Sequence, residues 1–221
     1  MTHLATLKAP MTIILSRNEI RAETEKAIRG VGKTWGQAKD GGAMATWLVA
    51  HDVPFLGALT ACLDRMDDGD DGGASSADCE AVIDGITLAE MVAGTGRAWS
   101  GTASKPRFLM AGMAIVASEQ GCALTLKKGD QILAVANNGD VWIASHDLTK
   151  DEANVTLSSG HDDAETLMPS ALMPCRWSAR TAHEVPAGCW AKLSAYAYRT
   201  YVPETEEKRR AGAGAGDIDN N

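Results

Sequence analysis

Two groups of side chains in this chain have the types that chemistry needs. The first is Asn18, Glu19, Lys26 and Asp40, two carboxylates, an amide and an amine within one short stretch. In a partly dried pocket the pKa of Glu19 or Asp40 would move toward neutrality and the group could pass a proton, with Lys26 as the third candidate catalytic residue. The second group is Arg97, Lys105 and Arg107, in and after a glycine-rich stretch that runs into Pro106. Proline suits the first turn of a helix, and bases beside a helix N-terminus make an anion site. The two groups together would suit an enzyme acting on a small anionic metabolite, provided that both face one pocket. Ordinary helix capping and solvated charge account for the same residues without any chemistry.

Other patterns fall short of their chemistry. Gly30-Val31-Gly32-Lys33-Thr34 carries the end of a phosphate-binding loop, but the first glycine of that pattern is replaced by Ala27, and a charged amphipathic stretch precedes it where a strand is needed. Asp67 to Gly72 resembles half a calcium loop, yet the twelfth position holds Asp78 rather than a bidentate glutamate. Thr102-Ala103-Ser104-Lys105 only echoes the S-x-x-K of serine acyl-enzymes, and no G-x-S-x-G elbow exists. His3, His51, His146, His161 and His183 form no zinc-type pair, and Cys62, Cys79, Cys122, Cys175 and Cys189 form no C-x-x-C. No metal or cofactor is therefore expected.

With 221 residues, 45% of them hydrophobic, the chain can bury a full core. A net charge of −8 argues against a nucleic-acid or anionic-membrane partner, since both require a basic face. No apolar run reaches the ~20 residues of a spanning helix, and no leader pattern stands at the start. Scattered cysteines that form no pairs suit a reducing compartment, so a cytoplasmic protein is expected.

The elements that must position these residues follow from periodicity. Ser16 and Glu19 make a capping box for a helix from about Arg17 to Arg29, stopped by Gly30 and Gly32. A second helix spans Trp35 to Ala50, where Gly41-Gly42 implies close packing on a neighbour. A third follows Pro54, with Phe55, Leu59, Cys62, Leu63 and Met66 inward. Short joints imply that these three form a compact antiparallel cluster. Ala81-Val82-Ile83 reads as a weak strand, Thr87 to Ala93 as a short helix, and 94–101 as irregular. A helix opens at Pro106 and stops at Gly121.

Beyond Gly121 the period changes to two. Cys122–Leu126, Gln131–Ala136 and Asp140–Ala144, with Asn-Gly in the second joint, predict a three-stranded antiparallel meander. Asn154–Ser158 and Cys175–Thr181 are further strand candidates. The C-terminal helix, from Pro186 to the stop at Val202-Pro203, carries Trp190, Leu193, Ala197 and Tyr201 on one stripe. Trp190 and Leu193 are expected to cover the meander, with Leu124, Leu126 and Trp142, or their neighbours one position along, facing inward. The class is α+β: a helical cluster over 11–66, an acidic loop over 67–78, an α+β core over 79–202 and a tail over 203–221, all as one folded unit.

The tail alternates glycine and alanine through Gly212, Gly214 and Gly216 and ends on Asp217 and Asp219. Such a segment either frays or threads a groove where only small residues fit. Ser16-Arg17-Asn18-Glu19-Ile20, the run from Lys26 to Gly36, Arg199 to Pro203 and the Gly/Ala tail together resemble a bacterial family of about this length, described only as a domain of unknown function. That resemblance implies a bacterial, cytoplasmic, whole-chain family and lends no reaction, cofactor or catalytic residue. The favoured functional reading is a binding or accessory subunit that self-associates or docks on a metabolic enzyme through the tail. The alternative is the small-molecule enzyme described above.

Overall fold

The computed structural model describes residues 11–69, 78–143, 148, 150–160 and 173–201. Its elements run β1 (Thr12–Ser16), α1 (Arg17–Gly30), α2 (Trp35–Ala50), α3 (Leu56–Asp67), β2 (Asp78–Glu80), α4 (Ala81–Thr95), β3 (Trp99–Ser104) and α5 (Pro106–Gln120), followed by β4 (Ala123–Lys128), β5 (Gln131–Asn137), β6 (Asp140–Ile143), β7 (Glu152–Ser159), β8 (Met173–Pro174), β9 (Ala182–Pro186) and α6 (Ala187–Tyr198). The class is α+β, as the sequence implies.

Caps start the first two helices. Glu19 N–H donates to Ser16 Oγ at 3.2 Å, and Ser16 N–H donates back to Glu19 Oε2 at 2.8 Å. Thr34 and Gln37 repeat this reciprocal box on α2. The threonine of the apparent phosphate-loop ending is thus a helix cap.

Seven strands form one sheet in the order β2-β3-β7-β4-β5-β6-β8. The expected meander is its β4-β5-β6 portion. Among the described strands only β2 and β3 pair in parallel, and α4 joins them. A parallel pair needs such a crossover, which is why Ala81-Val82-Ile83 begins a helix instead of forming a strand, although Val82 and Ile83 are β-branched. Its residues Val82, Ile86, Ala89 and Val92 are buried at helical spacing. The stretch expected to be irregular contains β3, paired with β7 from Trp99↔Leu157 to Ser104↔Glu152. Cys175–Thr181 is not a strand; the strands on either side of it are β8 and β9.

The expected partner of the sheet is also corrected. Two helices pack on it, α4 against β2, β3 and β7 and α5 against β4, β5 and β6; α5 is apolar nearly all round and buried from Pro106 to Ala114. Gly112 lets α5 close on α4: a Cβ there would lie 2.6 Å from the Gly85 carbonyl carbon. The C-terminal α6 packs instead on α1 and α3. It buries Leu193, Tyr196 and Ala197, while Trp190 is only half-buried. Gly30 of α1 meets the Tyr196 carbonyl so closely that a side chain could not fit. The cluster of α1 to α3 is therefore completed by the last helix rather than closed on itself, and β1 pairs with β9 beside it. Gly41 and Gly42 do pack tightly, against Ile28 and Glu25 of α1.

Leu124 and Leu126 face the main core, but Trp142 does not. It pairs with Val135 and joins Ala123 on the opposite face, because the register sets Ala136 against Val141.

Candidate functional site

The joint between α2 and α3 turns sharply, with Asp52 in the left-handed region at φ 55°. Past the turn, Val53, Phe55 and Leu56 form an apolar wall, and Val185 of β9 adds to it. Between them opens a cavity of about 980 Å³. Its titratable groups are Arg107, His183, Asp52, Arg180 and Glu184. Arg107, on the first turn of α5, is 9% exposed and donates from Nη1 to Pro54 O at 2.6 Å. His183 is 5% exposed. Burial lowers the Arg107 pKa, with the charge of Asp151 working the other way. Arg180 and Asp52 approach to 3.8 Å.

His183 is kept neutral. Burial lowers its pKa first, and the Arg17 charge adds to this against a smaller opposing effect of Asp52. Arg17 Nε donates to His183 Nε2 at 3.3 Å, which assigns the ring proton to Nδ1. Arg17 also donates from Nη2 to the Ser178 carbonyl and, at 2.8 Å, to the Arg180 carbonyl. Its guanidinium carbon lies 4.3 Å from the Trp177 ring centroid. The first residue of α1 thus holds the segment that enters β9.

A second polar group collects at the carboxyl ends of β2 and β3, where the register sets Glu80 beside Ser104. Arg65 of α3 donates to Glu80 Oε2 and to Ser104 Oγ, each at 2.6 Å. Ser104 Oγ donates to Glu80 Oε1 at 3.1 Å, and Cys62 Sγ donates to the same oxygen at 3.3 Å. Burial and then the Glu80 charge push the Cys62 thiol up to about 12, which favours the protonated thiol. The group ties α3 to the sheet. Lys105 follows in the left-handed region at φ 50°, its N–H donating to Asp151 O at 2.6 Å and its ammonium held by the Asp151 carboxylate.

Of the residues singled out in the sequence, Lys105 and Arg107 come together at the head of α5, and Arg107 alone of them lines the cavity. Arg97 sits beyond the end of α4, its N–H on Thr95 Oγ1 at 3.2 Å. Glu19 serves the α1 cap, and Lys26 donates to Tyr201 Oη at 2.8 Å. Burial, and then the Glu90 charge, raise the pKa of Asp40 on α2. Glu19, Lys26 and Asp40 do not line the Arg107 cavity. Gly212, Gly214, Gly216, Asp217 and Asp219 lie outside the described residues, as does most of the acidic loop. Among the described residues no cluster of metal-ligating side chains occurs, and no helix is long and apolar enough to cross a membrane. Arg17 and His183 were not singled out, since only the pairing of β1 with β9 brings them together.

Residues 15–104 of the 221-residue chain match the model of a family described as "Protein of unknown function (DUF3726)". A domain of unknown function is thus matched over less than half of the chain, from α1 to β3, and the Arg199–Pro203 and Gly/Ala motifs of the expected whole-chain family lie beyond the match. No curated protein and no solved structure matches the chain.

Proposed function

We propose that this chain is a cytoplasmic bacterial protein that binds a small, partly apolar anion, a carboxylic or phosphoric acid, in the Arg107 cavity. The observation that carries the reading is a buried guanidinium opening on apolar walls in a cavity of about 980 Å³. A guanidinium presents a planar fork to carboxylate or phosphate, and polar groups set among apolar walls orient a ligand in its pocket. The five free thiols suit a reducing compartment. Binding is favoured over catalysis because the lone pair of His183 is taken by Arg17.

A thermal-shift screen of mono- and dicarboxylates and organic phosphates tests the reading. A ligand at a hundred times its Kd stabilises the native state by about 2.7 kcal/mol. One acid class should raise the melting temperature of the wild type, and Arg107→Gln should abolish the shift. The reading fails if no acid stabilises the protein or if the shift survives the substitution.

The accessory-subunit reading has one supporting feature. The chain reaches residue 201 on a fixed surface, with Arg199 paired to Asp67 and Lys26 bonded to Tyr201. Exposed Tyr198 and Tyr201 meet there at 5.8 Å between ring centroids, so the segment that follows would leave from an aromatic pair suited to a homo-oligomer or partner enzyme. Deleting 211–221 should then change the mass by light scattering or the proteins recovered in a pull-down; unchanged assembly and unchanged partners sink it.

A further inference from the structure

A second cavity, of about 640 Å³, is lined by side chains of another kind. Trp47 and His51 lie one turn apart at the end of α2 and stack at 3.9 Å between ring centroids, with 23° between their planes. Trp177 meets His51 edge-on at 5.5 Å and 90°. Trp142 of β6 supplies a third indole to the lining, and two carboxylates, Glu119 of α5 and Asp140 at the head of β6, line it as well, opposed by Arg176 in the lining and by Arg17 over the Trp177 ring. His51 does not add a positive charge. Burial lowers its pKa, and Nδ1 lies 2.7 Å from the Trp47 carbonyl, which makes it the donor.

Three indoles and two carboxylates around one space match a bulky organic cation. The ring faces carry negative quadrupole density, carboxylates add attraction at longer range, and a cation with methylated nitrogen loses little hydration on entering. Trp177 already takes a cation in this structure, the guanidinium of Arg17. We infer that this aromatic cavity is a binding site for a quaternary or methylated ammonium group, separate from the acid site at Arg107. The two sites share no lining residue.

Titration of the full chain with choline, followed by the indole N–H resonances of its six tryptophans, tests the inference. The resonances of Trp47, Trp142 and Trp177 should shift saturably. The uncharged isostere of choline, in which a carbon replaces the nitrogen, should bind about tenfold more weakly, because it keeps the shape and loses the charge. Trp177 is 60% exposed, so Trp177→Ala should keep the fold while weakening choline severalfold. Glu119→Gln, which leaves every ring and the Arg17 contact in place, should weaken it to a similar degree. Arg107→Gln should bind choline as the wild type does, which separates this result from the fate of the acid site. Equal affinity for the isostere would leave a plain apolar cavity and overturn the inference. The absence of saturable shifts, shifts confined to the other tryptophans, or unchanged binding in both cavity variants would overturn it as well.

Discussion

The cavity at Arg107 and the cavity at Trp47 are lined by successive stretches of the same two segments. Trp47 and His51 line one, Val49, Asp52 and Val53 the other; Cys175 to Trp177 line one, Arg180 to Pro186 the other. The segments cross where Ser178 N–H donates to Ala50 O at 2.6 Å. On one side of that crossing the chain presents the buried Arg107 guanidinium on apolar walls, with Asp52, Arg180 and Glu184 around it, on the other indoles with Glu119, Asp140 and Arg176. The same two segments therefore line both cavities, and the two proposed ligands, an acid and an ammonium, would be told apart by side chains alone. Arg17 reaches both sides, through His183 and through Trp177.

The largest expected effect comes from removing that shared clamp. A hydrogen bond to a charged group contributes about 1.5–3 kcal/mol, and Arg17 makes several. Arg17→Ala should cost about 2–4 kcal/mol in denaturant unfolding and weaken acid and ammonium ligands alike. If only one ligand suffers, the two cavities are independent and the comparison needs no clamp.

Crossed substitutions should have the next largest effect. Arg107→Gln should lower acid affinity at least tenfold, about 1.4 kcal/mol, and leave choline unaffected, while Glu119→Gln should weaken choline severalfold and leave the acid unaffected. Parallel losses in isothermal titration would merge the two sites into one.

Acidity should act on both sides with the same sign. His51 and His183 both have pKa values lowered by burial, so their contribution is complete above the unfolded value near ~6.5 and is lost as pH falls through their folded values. Stability should decline from about pH 7 toward 5, and His51→Gln and His183→Gln should each flatten that slope in melting curves. A rise in stability on acidification would mean that the histidines gain partners on protonation. The smallest effect should be at the rim. Asp52→Asn breaks an exposed pair with Arg180, and asparagine tolerates a positive φ, so the cost should stay below about 0.5 kcal/mol.

Much of the local structure was legible in the chain. Ser16 with Glu19, Pro106, Gly121 and the Asn138-Gly139 turn all act where local chemistry puts them, because caps and turns depend on neighbours a few residues away. Ala81 to Ile83 reads as a strand because Val82 and Ile83 are β-branched, and three residues carry no information about the parallel pair that needs a helix there. Trp190 was misplaced because a stripe shows which face of α6 is apolar but not what covers it. At Thr34 the box with Gln37 stood in the sequence, obscured by its likeness to a phosphate loop.

The sequence by itself determined the α+β class, the boundaries of α1, α2 and α5 to within a residue or two, the meander, and the close approach at Gly41-Gly42. Each depends on periodicity or on residues in immediate succession. Tertiary structure alone decided both cavities. Arg17 and His183 are 166 positions apart and Trp47 and Trp177 are 130 apart, and no spacing rule links such pairs. Their meeting depends on β1 pairing with β9 and on α6 packing against α1. Loop closure over that distance has an entropic cost that the common core must offset, so the sites form only when the whole chain has folded.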